Sequence, residues 1–473
     1  MVVVGAGIAG LGSAYRLWTE YGIRADVYEY DSVPGGRIRT LRGYFADEQI
    51  VEEHAEFVNP EHTATLALAA SFGLTLDNTD KYPPGTHPLQ ERMRFGGRPF
   101  SQAALDRDWH EWGWKLFHDA AFTQAPWPTL YDRSTPGARR IDGMSVAEWI
   151  EANVPGGLSS DFAGVAVAAV LDEYGGPIEE QSALNLVYLL GQDDSRADSV
   201  QPRSRPQLAG ANEKWHLHGG NDQLVSGILD RLPDGSVHLD ERLVAVCRQE
   251  PGRLRCTFDT GTATHDVVAD HVVLAIPFTT LSMVDLDGVA VTPLHRTAIA
   301  EEPLGTNSKF FAQFTSRVWN AEHWSGNVFD SGAVQGGWDA TNYQPGPAGI
   351  LAALPGGIDA ARWGARYRLT GYRGAAPPTM VADLLDDWDR LFPGVKAAYN
   401  GHSYFVWSPG DPHILGAYSY LKVGQYTGFN GVQGRREQNL HFAGEQTSIN
   451  FQGYIEGALR SGYRCAREVA TGA

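Results

Sequence analysis

The chain opens Met1-Val2-Val3-Val4-Gly5-Ala6-Gly7-Ile8-Ala9-Gly10-Leu11, and the reading of this stretch decides the fold. Apart from Met1, the run to Val4 is β-branched and apolar, which predicts a strand buried in a parallel sheet. Beyond the glycines, Leu11, Ala14, Leu17 and Trp18 recur at helical spacing, and a second strand is predicted over Ala25 to Tyr28, ending at Glu29. Gly5 makes the tight turn, Gly7 lets a pyrophosphate approach the backbone at a helix start, and Gly10 lets helix and strand pack closely. Glu29 lies about 20 residues past Gly10, where a carboxylate accepts from ribose hydroxyls. A lone GxGxxG is a weak signal. Strand, glycines, helix, second strand and acid in that order predict a dinucleotide-binding βαβ unit.

The next glycines select the nucleotide. Gly35-Gly36-Arg37-Ile38-Arg39-Thr40 follows the second strand; its glycines expose backbone N–H groups and Arg37 adds a fixed cation for a diphosphate. This resembles the GGR-x-RT signature of the flavin amine oxidase superfamily, which implies FAD rather than NAD. At the far end, His441-Phe442-Ala443-Gly444-Glu445-Gln446-Thr447-Ser448 reads as a strand running into a turn. Gly453-Tyr454-Ile455-Glu456-Gly457-Ala458 then starts a helix that passes through Ser461, Gly462 and Ala466. Both segments resemble signatures of the flavin monoamine oxidase family. The resemblance implies that Gly444 and Glu445 meet the ribityl chain and that the helix start at Tyr454 and Ile455 lies against the flavin's pyrimidine edge. A third segment, Gly219-Gly220-Asn221-Asp222-Gln223-Leu224, precedes a helix, with strands predicted over Leu243 to Cys247, Arg253 to Phe258 and His271 to Pro277. In the family this stretch returns to the FAD domain, and the segment around Leu243 touches adenine.

The resemblance spans nearly the whole chain, strong at both ends and weaker in residues 80–210. It implies an α/β protein, monoamine oxidase-like, with a discontinuous Rossmann-like FAD-binding domain and a second domain of mixed sheet and helices for the substrate. The expected division is 1–78, 209–288 and 406–473 for FAD and 79–208 and 289–405 for the substrate. Helices are predicted over Ser145 to Asn153 and Ile178 to Leu190.

Composition agrees with an ordinary globular protein: 43% hydrophobic and 20% charged residues in a chain of 473, long enough for two joined domains. A formal net charge of -18 argues against nucleic acid and anionic membrane surfaces as partners and is compatible with a cationic substrate. No run of about 18 apolar residues predicts a membrane span. Cys247, Cys256 and Cys465 make no metal or CxxC spacing, which suggests reduced thiols and a cytoplasmic location. No signal peptide is expected, and a strand starting without lead-in is what a trimmed N-terminus would give. No other spacing suits a metal.

Arginine far outnumbers lysine. The lysines are Lys81, Lys115, Lys214, Lys309, Lys396 and Lys422. Lys309 is out of place in Asn307-Ser308-Lys309-Phe310-Phe311-Ala312-Gln313-Phe314, an apolar strand; the alternative is a lysine snorkelling at a sheet edge. The segment resembles the family strand whose lysine holds a water at flavin N5. Tyr418, in Leu415-Gly416-Ala417-Tyr418-Ser419, and Tyr454 match the two tyrosines that face each other before the flavin in monoamine oxidases. The cysteine that bonds flavin there is replaced by Ala417, which implies noncovalent FAD. In Glu52-Glu53-His54-Ala55-Glu56-Phe57-Val58, His54 breaks the family's small-residue pattern. Glu56 falls where a carboxylate can pair with a substrate ammonium or act as acid or base; the alternative is a surface glutamate beside Glu52 and Glu53. Arg317 beside Trp319, and Tyr174 in Asp172-Glu173-Tyr174-Gly175-Gly176, are further candidates near the substrate. His413 reads as structural.

The expected activity is oxidation of a C–N bond, with hydride moving from the carbon next to nitrogen to flavin N5, an imine as product, and O2 reoxidising the flavin to give H2O2. Three other readings stay open. One is an oxidase of secondary metabolism, in antibiotic biosynthesis, that couples oxidation of an amine or amide to ring closure; Glu56, Tyr174 and Arg317 resemble the set implied by the lankacidin macrocyclising oxidase branch. Another is an FAD-dependent C–C desaturase, and the last a flavin-binding scaffold without catalysis. An arginine after the small-residue motif would suit an α-amino acid, but Phe57 stands there. Homodimers are common in the family.

Overall fold

The computed structural model describes residues 1–79, 90–191, 213–249 and 252–472. Lys81 lies outside them. The β-branched start becomes strand Val2–Val4, buried throughout and flanked on both sides by parallel strands, Asp26–Tyr28 and Val272–Leu274. Leu440–Phe442 and Val237–His238 complete a five-stranded parallel sheet, in the order Leu440–Phe442, Val272–Leu274, Val2–Val4, Asp26–Tyr28, Val237–His238. Its strands come from three separated stretches of chain. The strand expected over His271 to Pro277 is shorter, because Pro277 caps the helical turn Phe278–Leu281.

Helix Ile8–Tyr21 leaves the first strand through Gly5, whose φ of 100° is open only to glycine. It ends at Gly22, a left-handed residue whose N–H closes on the Leu17 and Trp18 carbonyls. The last helix, Ile455–Thr471, lies along it. The crossing needs small residues: a Cβ on Gly462 would stand 2.1 Å from the Ala9 carbonyl oxygen.

A second, eight-stranded sheet is ordered Arg373–Ala375, Tyr399–Val406, Lys309–Phe314, Gly349–Ala353, Gly336–Asp339, Trp324–Asp330, Gln90–Phe95, Arg98–Phe100. It is antiparallel except where Trp324–Asp330 meets Gln90–Phe95. Lys309–Phe314 is buried on both faces. Phe310, Ala312 and Phe314 join Trp319, Trp388 and the helix Pro378–Leu391, while Phe311 packs with Phe45 and Tyr404 on the other face. Period-2 alternation puts Lys309 and Gln313 on the Phe311 face. Gln313 there bonds Ala46 and Gln49.

Helices Val146–Asn153, Asp161–Tyr174 and Ala183–Gly191 pack as a group, the first started by a Ser145–Glu148 capping box. The helix expected from Ile178 begins only at Ala183. Ahead of it, Gln181 and Ser182 form bridges to Lys422 and Ser145, and an apolar run does not reveal such a turn. Among the described residues no helix is long and apolar enough to cross a membrane.

Candidate active site

One cleft, enclosing about 260 Å³, runs from the first glycine turn to the eight-stranded sheet. At the turn, a Cβ on Gly5 would stand 2.6 Å from the Ala275 carbonyl oxygen and one on Gly10 only 1.9 Å from that of Gly5, so both serve close packing. A Cβ on Gly7 would meet nothing within 4 Å, and this glycine opens into the cleft. The second glycine pair lies against it: the Gly35 N–H donates to the Ala6 carbonyl, and Gly36 takes a left-handed φ of 56°. Glu29 accepts from the backbone N–H of Ala6 at 2.6 Å and of Asp31 at 2.8 Å. Burial raises its pKa against those donors.

The two ends of the chain meet here. Arg37 donates to Glu445 Oε1 at 2.9 Å and to the Ala417 carbonyl at 2.7 Å. Glu445 also accepts from the Ser419 hydroxyl at 2.6 Å and the Gly453 N–H at 2.8 Å, so this buried carboxylate holds three segments together. Gly444 (φ 134°) leaves no room for a side chain, since a Cβ would meet the Gln446 amide at 2.2 Å. Ile455 starts the last helix at the cleft wall, its positive dipole end facing in. Glycines facing the cleft and two helix starts fit a dinucleotide, whose diphosphate needs backbone N–H donors and close approach. Gly5, Gly7, Glu29, Gly36, Arg37, Gly444, Glu445, Tyr454 and Ile455 all line the cleft. Gly10 lies behind the turn. Leu243 packs in the core of strand Arg242–Gln249 and is not among the cleft-lining residues.

At the other end the sheet delivers Lys309 and Trp338. Lys309 does not snorkel; it is 5% exposed, and its ammonium donates to Glu56 Oε2 at 2.7 Å and to the Glu52 carbonyl at 3.1 Å. Trp338 Nε1 donates to Glu56 Oε1 at 2.8 Å. Glu56 is therefore no surface residue, and neither are its neighbours. Glu52 is held by His216, Thr40 and the Asn221 N–H, and Glu53 by Arg373 and Tyr404. Asn221 also fixes the loop backbone, donating to the Ala55 and Glu56 carbonyls. His54 lines the cleft, and burial pushes its pKa down to about 3 despite Asp411, so it is neutral at ordinary pH. His413 is tied to Asp411 at 2.9 Å, which raises its pKa.

Tyr418 and Tyr454 both line the cleft. The Tyr418 hydroxyl donates to the Asp172 carbonyl, and that of Tyr454 to Glu173 Oε1 at 2.7 Å. Burial first, then nearby acids, raises both phenols well above their usual range. Two candidates fall elsewhere. Arg317 is spent on Asp339 and the carbonyls of Thr341, Gln344 and Gly346, bracing a loop outside the cleft. Tyr174 packs on the core beside the cleft, while its helix neighbours Asp172 and Glu173 line it, because the left-handed Gly175 turns the chain there. Sequence reasoning missed Asp172, Glu173, Glu213 and Trp338. Burial raises the Asp172 carboxyl to about 7 against the pull of Lys309, and raises Glu213 well above the carboxylate range, helped by Asp172, Glu173 and Glu56. One signal was available: two acids in the last turn of a helix oppose its dipole.

A glycine cradle for a dinucleotide opposite a lysine, a carboxylate and two tyrosines defines a flavoenzyme-type oxidoreductase cleft. A family profile described as "Flavin containing amine oxidoreductase" matches residues 8–470, and the chain belongs to that family. It is an FAD-dependent oxidoreductase acting on amines. Human "Amine oxidase [flavin-containing] B" is 25% identical over 99% of this chain and 85% of its own length. The "Putative flavin-containing monoamine oxidase AofH" of Mycobacterium tuberculosis is 25% identical over 99% of this chain and 96% of its own. Among solved structures, cyclohexylamine oxidase from Brevibacterium oxydans superposes with a TM-score of 0.81 at 21% identity, covering 99% of this chain and 98% of that one, which shows the fold.

Proposed function

We propose that the protein oxidises a C–N bond of a small amine to the imine, with O2 taking up both electrons and both protons as H2O2. The observation that carries this reading is the convergence of Lys309, Glu56, Tyr418 and Tyr454 on the cleft that begins at the Gly5–Gly7 turn. Bound FAD supplies the two-electron acceptor. Gly5, Gly7, Gly36 and Arg37 hold its diphosphate, with Gly10 keeping strand and helix in contact behind them. Glu29 takes the ribose, and Gly444, Glu445 and Ile455 take the ribityl and pyrimidine side, while Ala417 leaves FAD noncovalent. The five-stranded sheet with its helices forms the nucleotide half and the eight-stranded sheet roofs the substrate. Lys309 keeps a positive charge where negative charge develops. Glu56, an ionised acceptor with lone pairs beyond its two hydrogen bonds, removes the proton from a substrate ammonium so that the nitrogen lone pair is free. Tyr418 and Tyr454 place the amine between aromatic walls.

A second reading is favoured by the acids. A protonated Asp172 or Glu213 is a donor rather than an anion, which suits the carbonyl of an acylated nitrogen. The imine is then trapped by a carbon of the same molecule, closing a ring. Anaerobic stopped-flow mixing of the yellow protein with primary amines, polyamines, amino acids and N-acyl amines separates the two. The expected result is rapid bleaching by a simple amine and peroxide once air is admitted. Bleaching by acylated substrates alone, without release of aldehyde or ammonia, supports the second reading. Bleaching by no nitrogen compound sinks both.

A further inference from the structure

We propose that Trp338 is a positioning residue for this reaction, its indole N–H fixing the Glu56 carboxylate in one orientation and holding it ionised opposite Lys309. The inference rests on the reading of Glu56 as the acid–base group. Trp338 touches both halves of the ion pair: Nε1 donates to Glu56 Oε1 at 2.8 Å, and the Lys309 ammonium lies 5.1 Å from the indole centroid. Lys309 takes the other oxygen, Oε2, at 2.7 Å. One oxygen is thus assigned to the tryptophan and one to the lysine, and the carboxylate has no freedom to turn.

The sheet sets this up. Trp338 pairs with Ala352, and Ala352 pairs with Phe311, so Trp338 shares the face of Phe311 and Lys309 two strands away. Its neighbour Gly337 points the other way, where a Cβ would stand 2.6 Å from the Trp388 ring. Phe57 meets the indole edge-on at 5.7 Å and holds its plane.

The charges around Glu56 make one donor decisive. Lys309, from the strand, favours the anion. Glu213, itself within reach of Asp172 and Glu173 from the end of helix Asp161–Tyr174, repels the anion whenever it is charged; the Tyr343 phenol lies close enough to feel both Glu56 and Glu52 on the same loop. With cation and acids in opposition, a hydrogen bond donated to the carboxylate shifts the balance toward ionisation. Phenylalanine keeps an aromatic ring there, smaller than the indole, and cannot donate.

The test uses the FAD-loaded protein with Trp338→Phe, and with benzothienylalanine at position 338, which keeps the indole shape and carries sulfur in place of N–H. Two quantities are read: the acidic limb of the kcat/KM pH profile, and the titration of the Glu56 carboxyl by infrared difference against Glu56→Gln. Both midpoints are expected to rise by about one pH unit in the two Trp338 variants. In a Glu56→Gln background the Trp338 change should have no further effect on the limb. If Glu56→Gln abolishes the limb but both Trp338 variants leave the midpoints where they were, Trp338 only packs and this proposal falls alone. If Glu56→Gln leaves the limb in place, the acid–base reading of Glu56 falls, and the role of Trp338 in the reaction falls with it.

Discussion

At the glycine end of the cleft each arginine has an acid against it: Arg37 meets Glu445 and Arg39 meets Asp31. At the other end the lining carboxyls Glu56, Asp172, Glu173 and Glu213 share one lysine, Lys309, already committed to Glu56. The glycine end is a rigid frame whose backbone N–H groups and helix dipoles suit an anionic ligand. The sheet end carries surplus acid, which is balanced by proton uptake or by a cation arriving with the substrate. The first end is selected for shape; the second is where protonation state is adjustable and where chemistry belongs.

The sharpest break of that contrast is Gly10→Ala. The added methyl meets the Gly5 carbonyl at 1.9 Å, and backbone cannot yield as a side chain can. A loss of about 3 kcal/mol or more and protein that purifies without flavin colour are expected from thermal unfolding and visible absorbance. Normal colour and stability would mean that the turn is not the rigid frame described. Next in size, Lys309→Met removes the cation of the sheet end and leaves the frame untouched. Flavin content should stay normal while flavin reduction by the best substrate slows about 100-fold. An unchanged rate in stopped flow would remove Lys309 from the chemistry.

A third test concerns Asp172 and is read in stability rather than in activity. Its carboxyl titrates near 3.8 when unfolded and near 7 when folded. Below the lower value both states are protonated and nothing differs. Between the two, the folded state holds a proton that the unfolded state has lost, so stability falls as pH rises through this window and levels off above it. Asp172→Asn should flatten that part of the stability curve measured by denaturant titration. An identical curve would show that Asp172 is solvated in the native state.

The nucleotide frame was legible because its parts are contiguous. Glycine spacing, a buried strand and a helix stripe all lie within residues 2–28, and backbone geometry demands those residue types at those positions. Glu56 and Lys309 were each visible as misfits, an acid in a small-residue pattern and a lysine in an apolar strand. Their pairing was not, since 253 positions separate them and only sheet register and loop path bring them together. Trp338 carried no signal at all, because tryptophans are common in this chain and its role depends on which face of the strand points to the cleft. Arg317 misled for the converse reason: the residue type suited the task, but Asp339 claimed the side chain.

The clasp between Arg37 and Glu445 has a consequence for how the molecule comes into being. The partners are 408 positions apart, and strand Leu440–Phe442 and helix Ile455–Thr471 arrive with the second of them. At the usual pace of translation the ribosome needs roughly 20 to 80 s to cover that distance. Through that interval the opening strand and glycine turn are outside without the elements that finish their sheet and cover their helix. The emerging chain therefore holds an apolar edge open through that interval, and the cleft is complete only once Glu445 and the last helix have emerged.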